Sequence, residues 1–150
     1  MSAMKNFWAL DFEASSLNMA ISYPIEVGYT NGIMEWSSLI IPHPDWFDWD
    51  PASQEIHGIA REELFAKGKS GPEVCSIMNK HLAGEIIYCD GGMYDILWLH
   101  RLFDAADMKP SFKLQNYSLI YKDNEPVAHR ALADAKQIWK MINDEISNPR

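Results

Sequence analysis

The sequence has little of what marks a secreted or membrane-bound protein. It contains two cysteines, Cys75 and Cys89, without the C-x-x-C spacing of a zinc or redox site. Both lie in apolar segments, which favours burial as small core residues in a reducing compartment. No uncharged segment approaches the length of a membrane span, and Asp11 and Glu13 interrupt the apolar run near the N-terminus. We therefore expect a soluble, cytoplasmic protein without a signal peptide.

Positive charge is also scarce. The 13 Lys and Arg residues against 21 Asp and Glu residues give a formal net charge of −8. The balance is −9 over residues 1–106 and +1 over residues 107–150. This argues against a simple basic protein that coats DNA. If the chain binds nucleic acid, divalent cations would have to neutralise part of its acidic half.

Low-complexity segments, internal repeats and linkers are missing, so we expect one domain over residues 1–150. Asn31-Gly32 lies between two strand-like runs and predicts a hairpin, because both residues accept positive φ. Three antiparallel strands are therefore expected first, followed by alternating helices and strands in a mixed α/β sheet. The predicted elements are strands in 7–13, 23–30, 33–41 and 85–89, a short strand or turn within 111–122, a loop over 42–53, and helices in 61–68, 71–84, 92–106 and 129–147.

Asp11 and Glu13 stand one residue apart at the end of the first strand, so both side chains point to one face. Two like charges on one face are costly unless a cation lies between them. The alternative is a strand end that frays into solvent. Asp95 and Asp134 fall near the starts of two later helices, at element ends that could share one edge of the sheet. The spacing of His129 to Asp134 brings them together only if His129 precedes the last helix.

At these residues the sequence resembles the DEDD-type 3′–5′ exonucleases of the ribonuclease H-like fold, in the subtype with a catalytic histidine (DEDDh), which includes ribonuclease T and the proofreading subunit of bacterial replicative polymerase. The family motif D-x-E-T-T-G-L is similar to "DFEASSL" (11–17), H-N-A-x-F-D to "DGGMYD" (90–95), and H-x-A-L-x-D-A to "HRALADA" (129–135). "EIHGIAREEL" (55–64) resembles a segment that many members carry before a helix. The match runs in order from residue 7 to about residue 142.

The resemblance implies a ribonuclease H-like sheet and a nuclease that removes nucleoside 5′-monophosphates from the 3′ end of DNA or RNA. It implies that Asp11, Glu13, Asp95 and Asp134 hold two Mg²⁺ or Mn²⁺ ions, with Asp11 bridging both. An oxygen-only ligand set suits these ions. It also implies that His129 is the general base, and we therefore expect activity to rise between about pH 6 and 8.

Substrate contacts are implied at four positions, of which two have an equally simple structural alternative. Leu17 could pack in the core instead, and His57 could hold its own loop. The other two implied contacts are Ala14 and Tyr94. The aromatic segment 45–50 is interpreted as a small cluster under a loop rather than a base-stacking surface, because its three aspartates repel phosphate.

Two departures from the family motifs stand out. Ala14, Ser15 and Ser16 follow Glu13, where the family has Thr-Thr-Gly. Asp90-Gly91 replaces the His-Asn pair of the second motif, which adds a carboxylate beside the site. We expect Asp90 to cap the following helix, with a further metal contact as the alternative.

The expected partner is the 3′ end of a single-stranded DNA or RNA, and the resemblance leaves a homodimer open. Two competing functions stay open as well. One is a catalytically weak nucleic-acid-binding or interaction module that keeps the fold. The other is a metal phosphoesterase acting on nucleotides or very short oligonucleotides, which the acidic composition and small size would suit.

Overall fold

The computed structural model describes residues 7–118 and 129–148. Its core is a five-stranded mixed sheet in the order β3-β2-β1-β4-β5. Strands β1, β2 and β3 are antiparallel neighbours, and β4 and β5 run parallel to β1. The elements along the chain are β1 (Trp8–Ala14), β2 (Pro24–Thr30), β3 (Glu35–Leu39), α1 (Pro51–His57), α2 (Arg61–Lys67), α3 (Gly71–Leu82), β4 (Ile86–Cys89), α4 (Met93–Ala105), β5 (Lys113–Asn116) and α5 (Ala131–Ser147).

This architecture confirms the predicted fold class, an α/β ribonuclease H-like sheet with antiparallel strands first and parallel strands after. The hairpin between β2 and β3 forms at the predicted Asn31-Gly32. Gly32 has φ 91°, and Asn31 Oδ1 accepts hydrogen bonds from the backbone N–H groups of Ile33 and Met34 at 3.0 and 2.7 Å. The local side-chain bond and the positive φ together fix the turn.

The loop predicted over residues 42–53 is wrong at its C-terminal end, where α1 begins. Asp50 is the N-cap of this helix and accepts from Ala52 N at 2.9 Å, while Pro51 occupies the first turn. An aspartate followed by proline is a standard helix start, so the local signal was present. Residues 111–122 are predicted to hold a short strand or turn. Strand β5 covers Lys113–Asn116, and residues 119–122 lie outside the described part of the chain.

Helices cover both faces of the sheet. Helix α5 packs on β1 and β2 from one side, and α4, with α3 against it, packs on the other side. The residues of β1 alternate between the two cores: Leu10 and Phe12 belong to the larger cluster with α3 and α4, whereas Phe7 and Ala9 lie under α5 with Ile138. The two cysteines are buried and free, as expected. Of the helices that the structure describes, none has the length and apolarity to cross a membrane.

The alternation along β1 decides where its two acids point. Asp11 and Glu13 continue the face that carries Phe7 and Ala9, so they lie on the α5 side of the sheet. Both are half-buried, which excludes the alternative of a strand end fraying into solvent.

Candidate metal centre

Five carboxylates converge at one edge of the sheet, in two groups that share a member. Asp11, Glu13 and Asp134 each offer an oxygen within 4.8 Å of the others, and so do Asp11, Asp90 and Asp95. The structure therefore brings together the four acids that the sequence singled out. Asp90 is an addition, and Asp11 belongs to both groups.

The parallel pairing of β1 with β4 brings the second group together. Asp90 directly follows the last residue of β4, and Asp95 lies in the first turn of α4 with 1% of its surface exposed. Its Oδ2 accepts a hydrogen bond from Gly91 N at 3.0 Å. A Cβ at position 91 would lie 2.9 Å from Asp95 Cγ and closer still to Oδ2, so a side chain there would displace the Asp95 carboxylate from its present position.

Glu26 positions the start of α5, and sequence reasoning missed it. Its side chain is 7% exposed and accepts from Arg130 Nη2 at 2.6 Å and from Ala131 N at 2.9 Å. Because α5 has no capping side chain of its own, this strand carboxylate binds the free N–H at the helix start. Asp134, in the first turn of the same helix, is thereby held over Glu13. The sequence around Glu26 gives no sign of its contact with Arg130, which lies 104 positions later in the chain.

His129 lies immediately before α5, as its convergence with Asp134 requires. Its backbone has φ 56°, and its N–H donates to Asp134 Oδ1 at 3.2 Å. The residue is exposed and borders a cavity of about 220 Å³ that Asp11, Glu13, Asp90 and Asp134 also line. The imidazole-bearing residue His129 therefore lies at the same cavity as four of the carboxylates.

The cluster carries more negative charge than its surroundings compensate. Burial raises the pKa of Asp11 well above its usual range, and its carboxylate neighbours raise it further. Burial and then Asp134 raise the pKa of Glu13 to about 8, and burial and then Asp90 raise that of Asp95 to about 7. No lysine or arginine lines the cavity within the described ranges.

The donor set fits divalent cations. Among the described residues, Asp11 Oδ2 is buried without a hydrogen-bond partner, an arrangement that is costly unless a cation binds there. The carboxylate oxygens of the two groups, which have Asp11 in common, can hold two hard ions such as Mg²⁺ or Mn²⁺.

The raised pKa of Glu13 predicts a pH-dependent stability in metal-free buffer. A folded-state pKa of about 8 means that the stability contributed by the protonated form is complete below about pH 4.3 and is lost as the pH rises through 8. Glu13→Gln keeps the neutral shape at every pH. We expect its melting temperature in EDTA to match wild type at pH 4.5 and to exceed it by about 3–6 °C at pH 8.5.

The control for this measurement is Glu62→Gln, which changes an exposed acid on α2 and should leave the pH dependence unaltered. Mg²⁺ should stabilise wild type more than Glu13→Gln at pH 8.5. An unchanged or lower melting temperature for Glu13→Gln in EDTA at pH 8.5 would contradict the electrostatic interpretation.

A second cavity, of about 250 Å³, adjoins the carboxylates and contains three of the four implied substrate-contact residues. Ala14, Leu17 and His57 line it together with Glu13 and His129. Leu17 is 67% exposed, so it does not pack in the core.

Two of the four contact candidates, His57 and Tyr94, have structural partners. His57 is buried, and its Nδ1 accepts from Ile59 N at 3.0 Å, which is the loop role considered for it. Its Nε2 is buried with no hydrogen-bond partner in the described part of the chain. Tyr94 is not among the lining residues of that cavity, and its hydroxyl donates to Leu17 O at 3.2 Å. Tyr94 thus supports the segment that carries Leu17.

The aromatic segment 45–50 forms the expected cluster in part. Trp46 stacks on Tyr23 at 5.2 Å between ring centroids, and Trp49 packs beside it against the same buried cluster. Phe47 differs, because it is 78% exposed. Two of the three aromatic side chains therefore anchor the loop rather than face solvent.

Asp48 ties this loop to the segment after β1. Its Oδ2 accepts from Ser15 Oγ at 2.8 Å and from Ser16 Oγ at 2.6 Å, and both serines are buried. The two serines that depart from the family motif thus share one acceptor, and the second of them directly precedes Leu17. The aspartate fixes the wall of the second cavity.

Asp48→Ala should loosen this wall without disturbing the carboxylates. If the cavity binds substrate, we expect KM for an oligonucleotide to rise several-fold, with kcat and Mn²⁺ affinity within about twofold of wild type. Asp45→Ala is the matched control, because Asp45 is an exposed acid in the same loop. A loss of Mn²⁺ affinity in Asp48→Ala would show that the loop supports the metal centre instead.

No protein-family model matches the sequence, and no curated protein matches it. Among solved structures, the fold is similar to E. coli exonuclease I in complex with a dA16 oligonucleotide, with a TM-score of 0.76 and 14% identity over 95% of this chain and 41% of that one. The zinc-bound form of the complex of E. coli exonuclease I with single-stranded DNA gives a TM-score of 0.76 and 15% identity over 96% of this chain and 41% of that one.

Apo exonuclease I gives a TM-score of 0.75 and 14% identity over 95% of this chain and 42% of that one. The chain thus spans about two fifths of the length of these exonuclease I chains. At these identities the likeness is one of fold.

Proposed function

We propose that this chain is a metal-dependent 3′–5′ exonuclease of the DEDDh type, acting on single-stranded DNA or RNA. The observation that carries the proposal is the position of Asp11, which belongs to both carboxylate groups and has a buried oxygen without a described partner. The fold likeness to exonuclease I bound to oligonucleotides adds support. The single-domain organisation, the cytoplasmic location and a homodimer stay predictions.

In this proposal the carboxylates hold two Mg²⁺ or Mn²⁺ ions. Bound ions of this kind supply an activated water and neutralise charge on the attacking and leaving oxygens. Asp11 would contribute to both positions, Glu13 and Asp134 would complete one, and Asp95 would belong to the other.

His129 is the proposed general base. It borders the same cavity as the acids and is exposed, so its ring can take a proton from the attacking water and pass it to solvent. The rise in activity between about pH 6 and 8 stays a prediction of this role.

The second cavity is the proposed site of the 3′-terminal nucleotide. Leu17 offers an exposed apolar side chain to a base, and His57 Nε2 offers a buried polar atom. Ala14 gives the wall a small residue beside the metal ligand Glu13. Tyr94 acts on the substrate indirectly, through its hydrogen bond to the backbone of Leu17.

One alternative has a specific observation in its favour. The two cavities offer no lysine or arginine among their described lining residues, so a long polyanion finds little counter-charge next to the metal centre. A phosphoesterase acting on nucleotides or very short oligonucleotides needs less of it. A binding module without activity has less support, because clustered carboxylates destabilise the fold and give such a module no benefit.

End-labelled substrates test the proposal. Wild-type protein with Mn²⁺ or Mg²⁺ is incubated with 3′-labelled and 5′-labelled twenty-mers and a trimer, as DNA and as RNA, with EDTA as the control. We expect immediate release of the 3′ label as a mononucleotide and progressive shortening of the 5′-labelled strand. Immediate release of the 5′ label would reverse the direction, and cleavage of the trimer alone would favour the phosphoesterase. Binding without hydrolysis would favour the binding module.

A further inference from the structure

Asp90 was expected to cap a helix, and the structure contradicts that role. The N-cap of α4 is Gly92, with φ 61° and ψ −130°, and no side chain caps the helix. The carboxylate of Asp90 instead belongs to a group with Asp11 and Asp95, and Asp90 lines the cavity that holds Asp11, Glu13 and Asp134.

The sheet register explains this placement. Strands β1 and β4 are parallel neighbours, and Ala9 lies opposite Tyr88. Ala9 and Tyr88 both pack in the cluster under α5, so they share one face of the sheet. Two residues further along each chain, the same register places Asp90 beside Asp11 on that face. The position of Asp90 is thus set by the pairing of two central strands, because the residue directly follows β4.

We propose that Asp90 is a fifth metal ligand, which completes a second ion position with Asp11 and Asp95. This inference rests on the proposed metal-dependent function. The oxygen of Asp11 that is buried without a described partner gives it an independent basis, because leaving a buried carboxylate oxygen without a partner is costly and a bound cation would remove that cost. The position then has three protein carboxylates, so the ion should stay bound at lower concentrations than one held by two.

With both ions bound, the proposed site would carry a net negative charge. Five carboxylates around two divalent ions leave one negative charge, where four would leave none. The fifth acid therefore strengthens retention of the ion and weakens attraction for a phosphate. Replacing Asp90 with a neutral residue should reverse both effects.

Mn²⁺ titration of the full chain, followed by calorimetry and by the electron paramagnetic resonance signal of free Mn²⁺, tests this ligand. We expect wild type to bind two ions per chain. Asp90→Asn should bind the first ion as wild type does and the second at least about tenfold more weakly. Asparagine is nearly isosteric with aspartate and caps helices equally well, so a purely capping role predicts no change in Mn²⁺ affinity.

Asp104→Asn, which neutralises an exposed acid on α4, is the control and should titrate as wild type does. Circular dichroism verifies folding, and Asp90→Ser is the second variant, expected to weaken the second ion in the same way. Two ions bound by Asp90→Asn with wild-type affinity would overturn the inference and leave the proposed function intact. A wild-type chain that binds no Mn²⁺ would overturn both.

Discussion

Asp11→Asn will abolish metal-dependent hydrolysis, with a fall in kcat of at least about 10³-fold. Two bound ions supply several kcal/mol of transition-state stabilisation, and about 4 kcal/mol corresponds to that factor. Asp11 is the member common to both carboxylate groups, so its replacement weakens both ion positions together. The other acids belong to one group each. The measurement is single-turnover digestion of a 3′-labelled oligonucleotide at saturating Mn²⁺.

The same variant should fold at least as well as wild type without metal. Burial and four neighbouring carboxylates raise the pKa of Asp11 because its charged form is unfavourable there. An amide removes that charge, and its N–H can donate to a neighbouring carboxylate. A melting temperature equal to or above that of wild type in EDTA therefore separates lost chemistry from lost structure. More than a tenth of wild-type activity in Asp11→Asn would rule out a bridging role for this residue.

Much of the site was readable from the sequence because its signals are local. Asp11 and Glu13 follow a strand with a period of two, so their shared face needs no tertiary information. Asn31-Gly32 fixed the hairpin in the same way. His129 and Asp134 required one further condition, a helix that begins between them, and α5 begins at Ala131.

The remaining features depend on contacts between distant segments. Glu26 lies within a buried strand, and the helix start that it holds is about a hundred residues away. Asp90 looked like a helix cap because sequence gives no parallel register, and the pairing of Ala9 with Tyr88 sets its direction. The close approach of α5 to Gly28 of β2 did leave a signal in the sequence, since a glycine inside a strand often marks the close approach of another backbone.

Gly28→Ala is expected to damage the metal centre by displacing the start of α5. Gly28 lies opposite Asp11 in the register of β1 and β2. A Cβ there would lie 2.6 Å from the carbonyl carbon of Ala131 and closer still to two backbone atoms of Leu132. Because all three atoms are backbone, no change of rotamer relieves the clash. The first turn of α5 must move away from the sheet.

That movement carries Asp134 and His129 away from Glu13, and it strains the hydrogen bond from Ala131 N to Glu26. We expect a loss of about 2–3 kcal/mol in the free energy of unfolding, the range for overpacking a tight contact. Hydrolysis should fall at least about 10²-fold, since a shift of about 1 Å in a catalytic group costs that much. Chemical denaturation and single-turnover digestion measure the two effects.

The number of Mn²⁺ ions bound by Gly28→Ala distinguishes a local movement of α5 from a general loss of structure. Asp11, Asp90 and Asp95 belong to β1, the end of β4 and α4, so moving α5 leaves their ion position intact. Mn²⁺ binding should fall from two ions to one, and the surviving ion should bind at least about tenfold more weakly when Asp90→Asn is added. Gly71→Ala is the control, because a Cβ at Gly71 meets one side-chain atom at 3.6 Å and should be tolerated. Retention of both ions in Gly28→Ala would mean that α5 does not hold the first position, and Asp134 would then lose its assigned role.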